Sequence, residues 1–336
     1  MKISILGAGS MGVAIAAHLS KNGYETMIWT RSKKNAEIIN NDRGLVERLP
    51  GIVLCESVTA SDDLNDVLSN STAVVFALPS VGIRETAGIV SDILKDDKNT
   101  DIPIISCSKG LEDGTGKFLS QVLKEEITDK IGNLVAVLSG PSYAIEIASG
   151  MPTAVVISSE NKEMAKTCQD IFMNQNFRVY TSNDMVGVEL GGALKNVIAL
   201  CAGISDGLGF GDDAKAALVT RSITEISRLG IVMGADTRTF FGLTGIGDLI
   251  LTCMGNHSRN KHAGELIGKG YSLQAAQDEV NMVVEGISTA KPALLLAQKY
   301  NVEMPIISEA NLILFGSADP RASVLKLMNR DKKSEF

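Results

Sequence analysis

Ile3-Ser4-Ile5-Leu6 is a short apolar run that leads directly into Gly7-Ala8-Gly9-Ser10-Met11-Gly12 and then into the helical spacing of Val13, Ile15, Ala16 and Leu19. A strand that turns straight into a helix through glycines spaced G-x-G-x-x-G opens a βαβ unit that receives a dinucleotide. Each glycine has a mechanical task. Gly7 allows the tight turn, Gly9 lets the backbone approach a pyrophosphate at the helix N-terminus, and Gly12 lets helix and strand pack closely. A glycine-rich turn of accidental spacing is the alternative; the strand before, the helix after and the N-terminal position favour the binding site.

The same rhythm continues through the first half of the chain. Apolar runs at Glu25–Trp29, Ala73–Leu78, Ile102–Ser106, Leu134–Leu138 and Thr153–Ile157 alternate with longer amphipathic segments. This predicts a Rossmann-type, doubly wound parallel sheet with helices on both faces and a ligand crevice at the carboxyl ends of the strands. Beyond about Asn183 the strand-like runs stop and long helical patterns take over, at Asp184–Ile204, Ala214–Leu229 and Thr289–Lys299. The expected organisation is a dinucleotide-binding domain over residues 1–182 and an all-helical substrate domain over 183–336. A chain of 336 residues is long enough for two such domains.

Composition narrows the function. Thirty-two Lys plus Arg against 39 Asp plus Glu give a net charge of −7, which argues against a nucleic-acid partner. The apolar runs read from the sequence are shorter than the roughly 20 residues of a membrane helix, so no membrane span is expected. Five dispersed cysteines without a C-x-x-C pair read as reduced thiols in a cytoplasmic protein, and three isolated histidines offer no metal cluster. His18, on the first helix, suits packing better than chemistry.

The second strand run ends Trp29-Thr30-Arg31, where an Asp or Glu would hold both ribose hydroxyls of NAD. A guanidinium suits a 2′-phosphate instead, helped by Ser32 and Lys33, so the expected cofactor is NADPH with NADH as the alternative. Arg31 stacking on adenine or lying in solvent is the competing reading.

Lys195 stands out because it lies in a nearly wholly apolar helical stretch, Val188–Cys201. An ammonium there is costly unless a partner or substrate meets it. Gly191 and Gly192 are expected to clear space beside it for a ligand, with Asn196 on the adjoining face; a lysine snorkelling to solvent is the alternative. Lys109 follows the run Ile102–Ser106 and should project into the crevice. Gly140-Pro141-Ser142-Tyr143-Ala144 follows Leu134–Leu138, with Pro141 read as a helix start. Asp248, in the glycine-rich Gly242–Asp248 segment, is read either as the partner of a buried lysine or as a cap for the next helix. Ser258-Arg259-Asn260 opens a helix running toward Ile267 and is read as a phosphate site or as plain capping.

Taken together, Gly7–Gly12, Trp29-Thr30-Arg31, Ser108-Lys109-Gly110, Ser139–Ala144, Lys195-Asn196, Leu243–Leu249, Ser258-Arg259-Asn260 and Val284-Glu285-Gly286 resemble the bacterial NAD(P)-dependent glycerol-3-phosphate dehydrogenases over nearly the whole chain. The resemblance implies reversible reduction of dihydroxyacetone phosphate to sn-glycerol 3-phosphate, feeding phospholipid synthesis. It implies that Lys195 is the catalytic proton donor and acceptor, and that Lys109, Gly140, Ser142, Asp248, Ser258, Arg259 and Asn260 bind substrate. Ser10, Met11, Arg31, Lys109, Ala144, Arg259, Val283 and Glu285 would meet the cofactor. Met11 departs from the bulky aromatic carried by many relatives. The sequence leaves the oligomeric state open, a homodimer being compatible with it.

Overall fold

The computed structural model describes residues 1–45, 47–95, 102–127, 134–332, 334 and 335. Eight strands, β1 (Lys2–Leu6), β2 (Glu25–Trp29), β3 (Val58–Ser61), β4 (Ala73–Phe76), β5 (Ile104–Ser106), β6 (Val135–Ser139), β7 (Thr153–Ser158) and β8 (Phe177–Ser182), form one sheet in the order β3-β2-β1-β4-β5-β6-β7-β8. The helices among them are α1 (Ser10–Lys21), α2 (Lys33–Asp42), α3 (Leu64–Leu68), α4 (Ile83–Leu94), α5 (Leu119–Glu126), α6 (Ala144–Ser149) and α7 (Lys162–Phe172). After Ser182 the named elements are helical: α8 (Met185–Gly207), α9 (Asp212–Val232), α10 (Thr237–Phe240), a π-type turn at Leu243–Gly247, α11 (Asp248–Met254), α12 (Arg259–Gly268), α13 (Leu273–Val280), α14 (Glu285–Lys299), α15 (Pro305–Phe315) and α16 (Pro320–Met328).

Six strands, β1 to β6, run parallel, but β7 pairs antiparallel with β6 and carries β8 with it. The expected doubly wound parallel sheet is present in β1 to β6, and the direction reverses only at the β7–β8 edge. The link from β6 to β7 holds only the six-residue α6, and the strand it delivers runs back along β6. Strands β3 and β8 were not read from the sequence, and the reason is physical. Both are edge strands, β3 reading Val-Thr-Ala-Ser and β8 alternating buried Phe177 and Val179 with exposed Arg178 and Tyr180, rather than continuous apolar runs.

Two apolar cores cover the sheet faces, and a third fills the helical half. His18 belongs to the first, its Nε2 at 2.6 Å from the Phe172 carbonyl oxygen and its ring 4.3 Å from that of Phe177. The spine of the helical half is α8. At 23 residues it is, by length and composition, apolar enough to cross a membrane, which corrects the reading of short apolar runs; 89% of its most apolar window is buried within the protein, which accounts for that apolarity. It lies directly against α12. A Cβ on Gly264 would fall 2.0 Å from the Leu200 carbonyl oxygen, and one on Gly203 1.9 Å from that of Lys261. Glycine at these crossing points lets the two backbones touch, which brings the N-terminus of α12 beside Asn196.

Candidate active site

The glycine-rich turn has the shape a pyrophosphate needs. Gly7 has φ +117°, and a Cβ there would lie 2.6 Å from the Ala77 carbonyl oxygen; one on Gly12 would lie 1.8 Å from that of Gly7. Gly9, by contrast, faces open space, with nothing within 4 Å of an added Cβ. Gly9 is also the N-cap of α1 and supplies no side-chain acceptor, and the first turn holds no acidic residue. The amides at this 12-residue helix start are therefore available to an anion, and the cradle fits a dinucleotide.

Around it the strand ends converge. Lys109, beyond β5, donates from Nζ to the Gly140 carbonyl oxygen beyond β6 (3.0 Å) and to Asp248 Oδ2 (2.6 Å). Lys195, buried on α8, donates from Nζ to Asp248 Oδ1 and to Thr252 Oγ1 (3.0 Å). One buried carboxylate thus bridges two lysines that come from opposite halves of the chain. Burial would raise the Asp248 carboxyl, but the two ammonium groups outweigh it and hold the group below its ordinary range. Burial pulls the Lys195 ammonium down to about 7; Asp248 opposes the fall and Lys109 adds to it.

One open reading is decided here and one expectation changes. Asp248 is the first residue of α11 and caps nothing, so of its two readings the lysine partner is the one present. Gly191 and Gly192 do not clear space for a ligand. A Cβ on Gly191 would meet the Thr244 carbonyl oxygen at 2.6 Å, and one on Gly192 would meet Ser139 Oγ at 2.9 Å. Their missing side chains let the Leu243–Gly247 turn and the end of β6 press onto α8, which is how Asp248 reaches Lys195. Thr252, one turn along α11 from Asp248, was not picked out from the sequence; its hydroxyl accepts from Lys195 and donates to the Asp248 carbonyl oxygen at 2.6 Å. An i, i+4 polar pair on that helix was the available signal.

The segment after β6 also differs in detail. Pro141 does not start a helix; α6 begins at Ala144, with Tyr143 as N-cap. Ser142 Oγ donates to the Gly140 carbonyl oxygen (2.9 Å), and Tyr143 donates to the Leu251 carbonyl oxygen (2.7 Å), so the segment is fastened to α11.

At the start of α12, Ser258 is buried and its Oγ accepts from the Lys261 amide (3.2 Å), which is the capping arrangement. Asn260 donates to Asn196 Oδ1 (3.1 Å) and accepts from the Gly286 amide (2.8 Å), so its amide group joins α8, α12 and α14. The Arg259 side chain is exposed, and no hydrogen bond or ion pair holds it among the described residues. Glu285 accepts from the Ser80 amide (3.2 Å) and from Ser80 Oγ (2.8 Å), tying the start of α14 to the loop after β4. Val283 is 48% exposed. On the other side, Ser10 Oγ donates to the Arg48 carbonyl oxygen (3.0 Å), and Met11 and Ala144 pack at the margin of the first core. Arg31 pairs with Glu85 (2.9 Å) and lies 6.0 Å from the Trp29 ring centre. Ser32 Oγ accepts from the Asn35 amide as the cap of α2, which leaves its hydroxyl hydrogen free to donate.

Comparison with known proteins fits this geometry. Residues 2–165 match the model of the NAD-dependent glycerol-3-phosphate dehydrogenase N-terminus, and residues 184–325 match that of the C-terminus. The chain is 50% identical over 336 residues to the glycerol-3-phosphate dehydrogenase [NAD(P)+] of Fusobacterium nucleatum, covering 100% of this chain and 99% of that protein. Against the enzyme of the same name from Thermoanaerobacter sp. the identity is 48%, with the same coverage. The crystal structure of glycerol-3-phosphate dehydrogenase from Coxiella burnetii superposes with a TM-score of 0.92 at 36% identity, covering 98% of this chain and 99% of that one. With matched models spanning both halves and relatives of this identity along its full length, the chain belongs to the NAD-dependent glycerol-3-phosphate dehydrogenase family.

Proposed function

We propose that this chain reduces dihydroxyacetone phosphate to sn-glycerol 3-phosphate with NADPH or NADH, reversibly, and so supplies glycerol phosphate for phospholipid synthesis. The observation that carries the reading is the buried lysine Lys195, bridged by Asp248 to Lys109 at the strand ends beside an open dinucleotide cradle. When bound, the nicotinamide supplies a hydride to C2 of the ketone. Negative charge then grows on the carbonyl oxygen, where the Lys195 ammonium stabilises it and gives up its proton; in the reverse direction the neutral amine takes the proton back. A pKa lowered to about 7 suits a group that must do both near neutrality. Asp248 orients Lys195, and Lys109 adds positive charge beside the same oxygen.

The remaining assignments belong to the same proposal. Gly140, Ser142, Ser258, Arg259 and Asn260 would bind the substrate with Lys109 and Asp248, Arg259 at the start of α12, exposed and held by no hydrogen bond or ion pair among the described residues, being suited to the phosphate. Gly7, Gly9, Ser10, Met11, Gly12, Arg31, Lys109, Ala144, Arg259, Val283 and Glu285 would line the cofactor site, with residues 1–182 as the dinucleotide-binding domain and 183–336 as the substrate domain. Five unpaired cysteine thiols support a cytoplasmic setting.

The test is loss of NADPH absorbance with dihydroxyacetone phosphate as the acceptor, beside unphosphorylated dihydroxyacetone and a β-keto acid. Turnover of the keto acid alone refutes the proposal. Arg259→Ala should depress activity on the phosphorylated ketone severely and that on dihydroxyacetone much less, because binding energy at the phosphate aligns the reacting carbon. Equal proportional losses, with NADPH affinity intact, would remove Arg259 from the phosphate site.

A further inference from the structure

We propose that Glu85 determines how weakly this chain separates NADPH from NADH, by holding a carboxylate on the guanidinium that would otherwise be free for a 2′-phosphate. The inference rests on the dinucleotide reading above and goes beyond it. Arg31 lies two residues past the end of β2, where a dinucleotide fold reads the 2′ position of the adenosine ribose. No acid follows β2 here. One arrives from elsewhere: Glu85, in the first turn of α4, accepts from Arg31 Nη2 at 2.9 Å. The approach follows from topology, since β2 and β4 flank β1 and the segments leaving their carboxyl ends stand on either side of the glycine-rich turn.

The pair is poorly suited to a purely structural task. Its side chains are 64% and 68% exposed, and exposed ion pairs hold a fold only weakly. It is well suited to reading a ribose. Glu85 can accept hydrogen bonds from the 2′- and 3′-hydroxyls of NADH, which Arg31 cannot do because a guanidinium has no acceptor. Facing NADPH, Arg31 attracts the 2′-phosphate while the Glu85 carboxylate repels it and competes for the same donors. Exposed Lys33 and the start of α2, whose first turn holds no acid, add attraction for the phosphate. Cation and carboxylate, contributed by different elements, thus support both cofactors and strongly exclude neither.

The experiment measures binding, with no turnover. Trp29 is the only tryptophan in the chain and lies beneath Arg31, so its fluorescence reports occupancy directly. Dissociation constants for NADPH, NADH, 2′,5′-ADP and AMP are compared between wild type and Glu85→Gln, with calorimetry as a second readout. Glu85→Gln should tighten NADPH and 2′,5′-ADP by roughly fivefold, the scale of one exposed charge contact, and leave NADH and AMP unchanged or weaker. An unchanged NADPH-to-NADH ratio, or an equal shift for both, overturns the role of Glu85. Failure of the wild type to bind either dinucleotide refutes the dinucleotide reading itself, so the two failures are distinguishable.

Discussion

Replacing Lys195 by methionine should remove most of the activity and raise the melting temperature in the same protein. A fall of the ammonium from its ordinary 10.5 to about 7 corresponds to about 5 kcal/mol between charged and neutral forms. The folded pKa lies below the unfolded one, so at neutral pH the folded protein binds fewer protons than the unfolded chain. The group therefore opposes folding there, by about 4 kcal/mol. Methionine has a similar length and is apolar, and it leaves Asp248 paired with Lys109 at 2.6 Å, one carboxylate with one ammonium and no orphaned charge. Against the gain stands the lost hydrogen bond to Thr252, about 1 kcal/mol. A net stabilisation of about 1 to 3 kcal/mol is expected after incomplete relaxation, read as a melting temperature raised by several degrees at pH 7. The advantage should shrink towards pH 10, where the unfolded chain also begins to lose the proton. Cofactor affinity should persist while kcat falls roughly a hundredfold or more. A variant that melts lower than wild type at pH 7, or whose advantage is the same at pH 10, would refute the reasoning that burial penalises this ammonium.

Gly9→Ala and Gly191→Ala should separate ligand space from packing space: the first should melt like wild type yet bind NADPH weakly, while the second should lose about 1 to 3 kcal/mol by denaturant unfolding as its Cβ displaces Thr244. In the reduction direction kcat should decline as pH rises through about 7, since protonated Lys195 is the donor, and the oxidation rate should rise over the same range; parallel profiles in both directions would contradict this. Burial raises Glu189 and Glu225 to about 7, where they accept from Ser120 and from the Ile306 amide. Both favour the protonated folded state, so their contribution is present below about pH 4.5 and is lost as pH climbs to about 7. Glu189→Gln should flatten the fall in stability across that window, measured by urea unfolding at stepped pH.

The sequence alone determined the first βαβ unit, because three glycines between a strand and a helix have few other solutions, and it placed Lys195 in a buried helix by the cost of an ammonium among apolar neighbours. It also supplied the rhythm of the parallel strands, which are continuous apolar runs wherever both faces are covered. It did not supply β3 or β8, whose half-polar alternation is that of sheet edges, nor the reversal at β7, which depends on a short connection and leaves no trace in composition. The meaning of Gly191 and Gly192 came only from the fold, since an absent side chain makes room equally for a ligand or for a neighbouring backbone. Asp248 could be read from the sequence as a cap or as an ion-pair partner. What decided it was the contact of α11 with α8 and of both with Lys109, just beyond β5, which brings two lysines 86 residues apart in sequence to a single carboxylate. Side-chain chemistry sets what such a residue is able to do, and long-range packing sets which of those things it does.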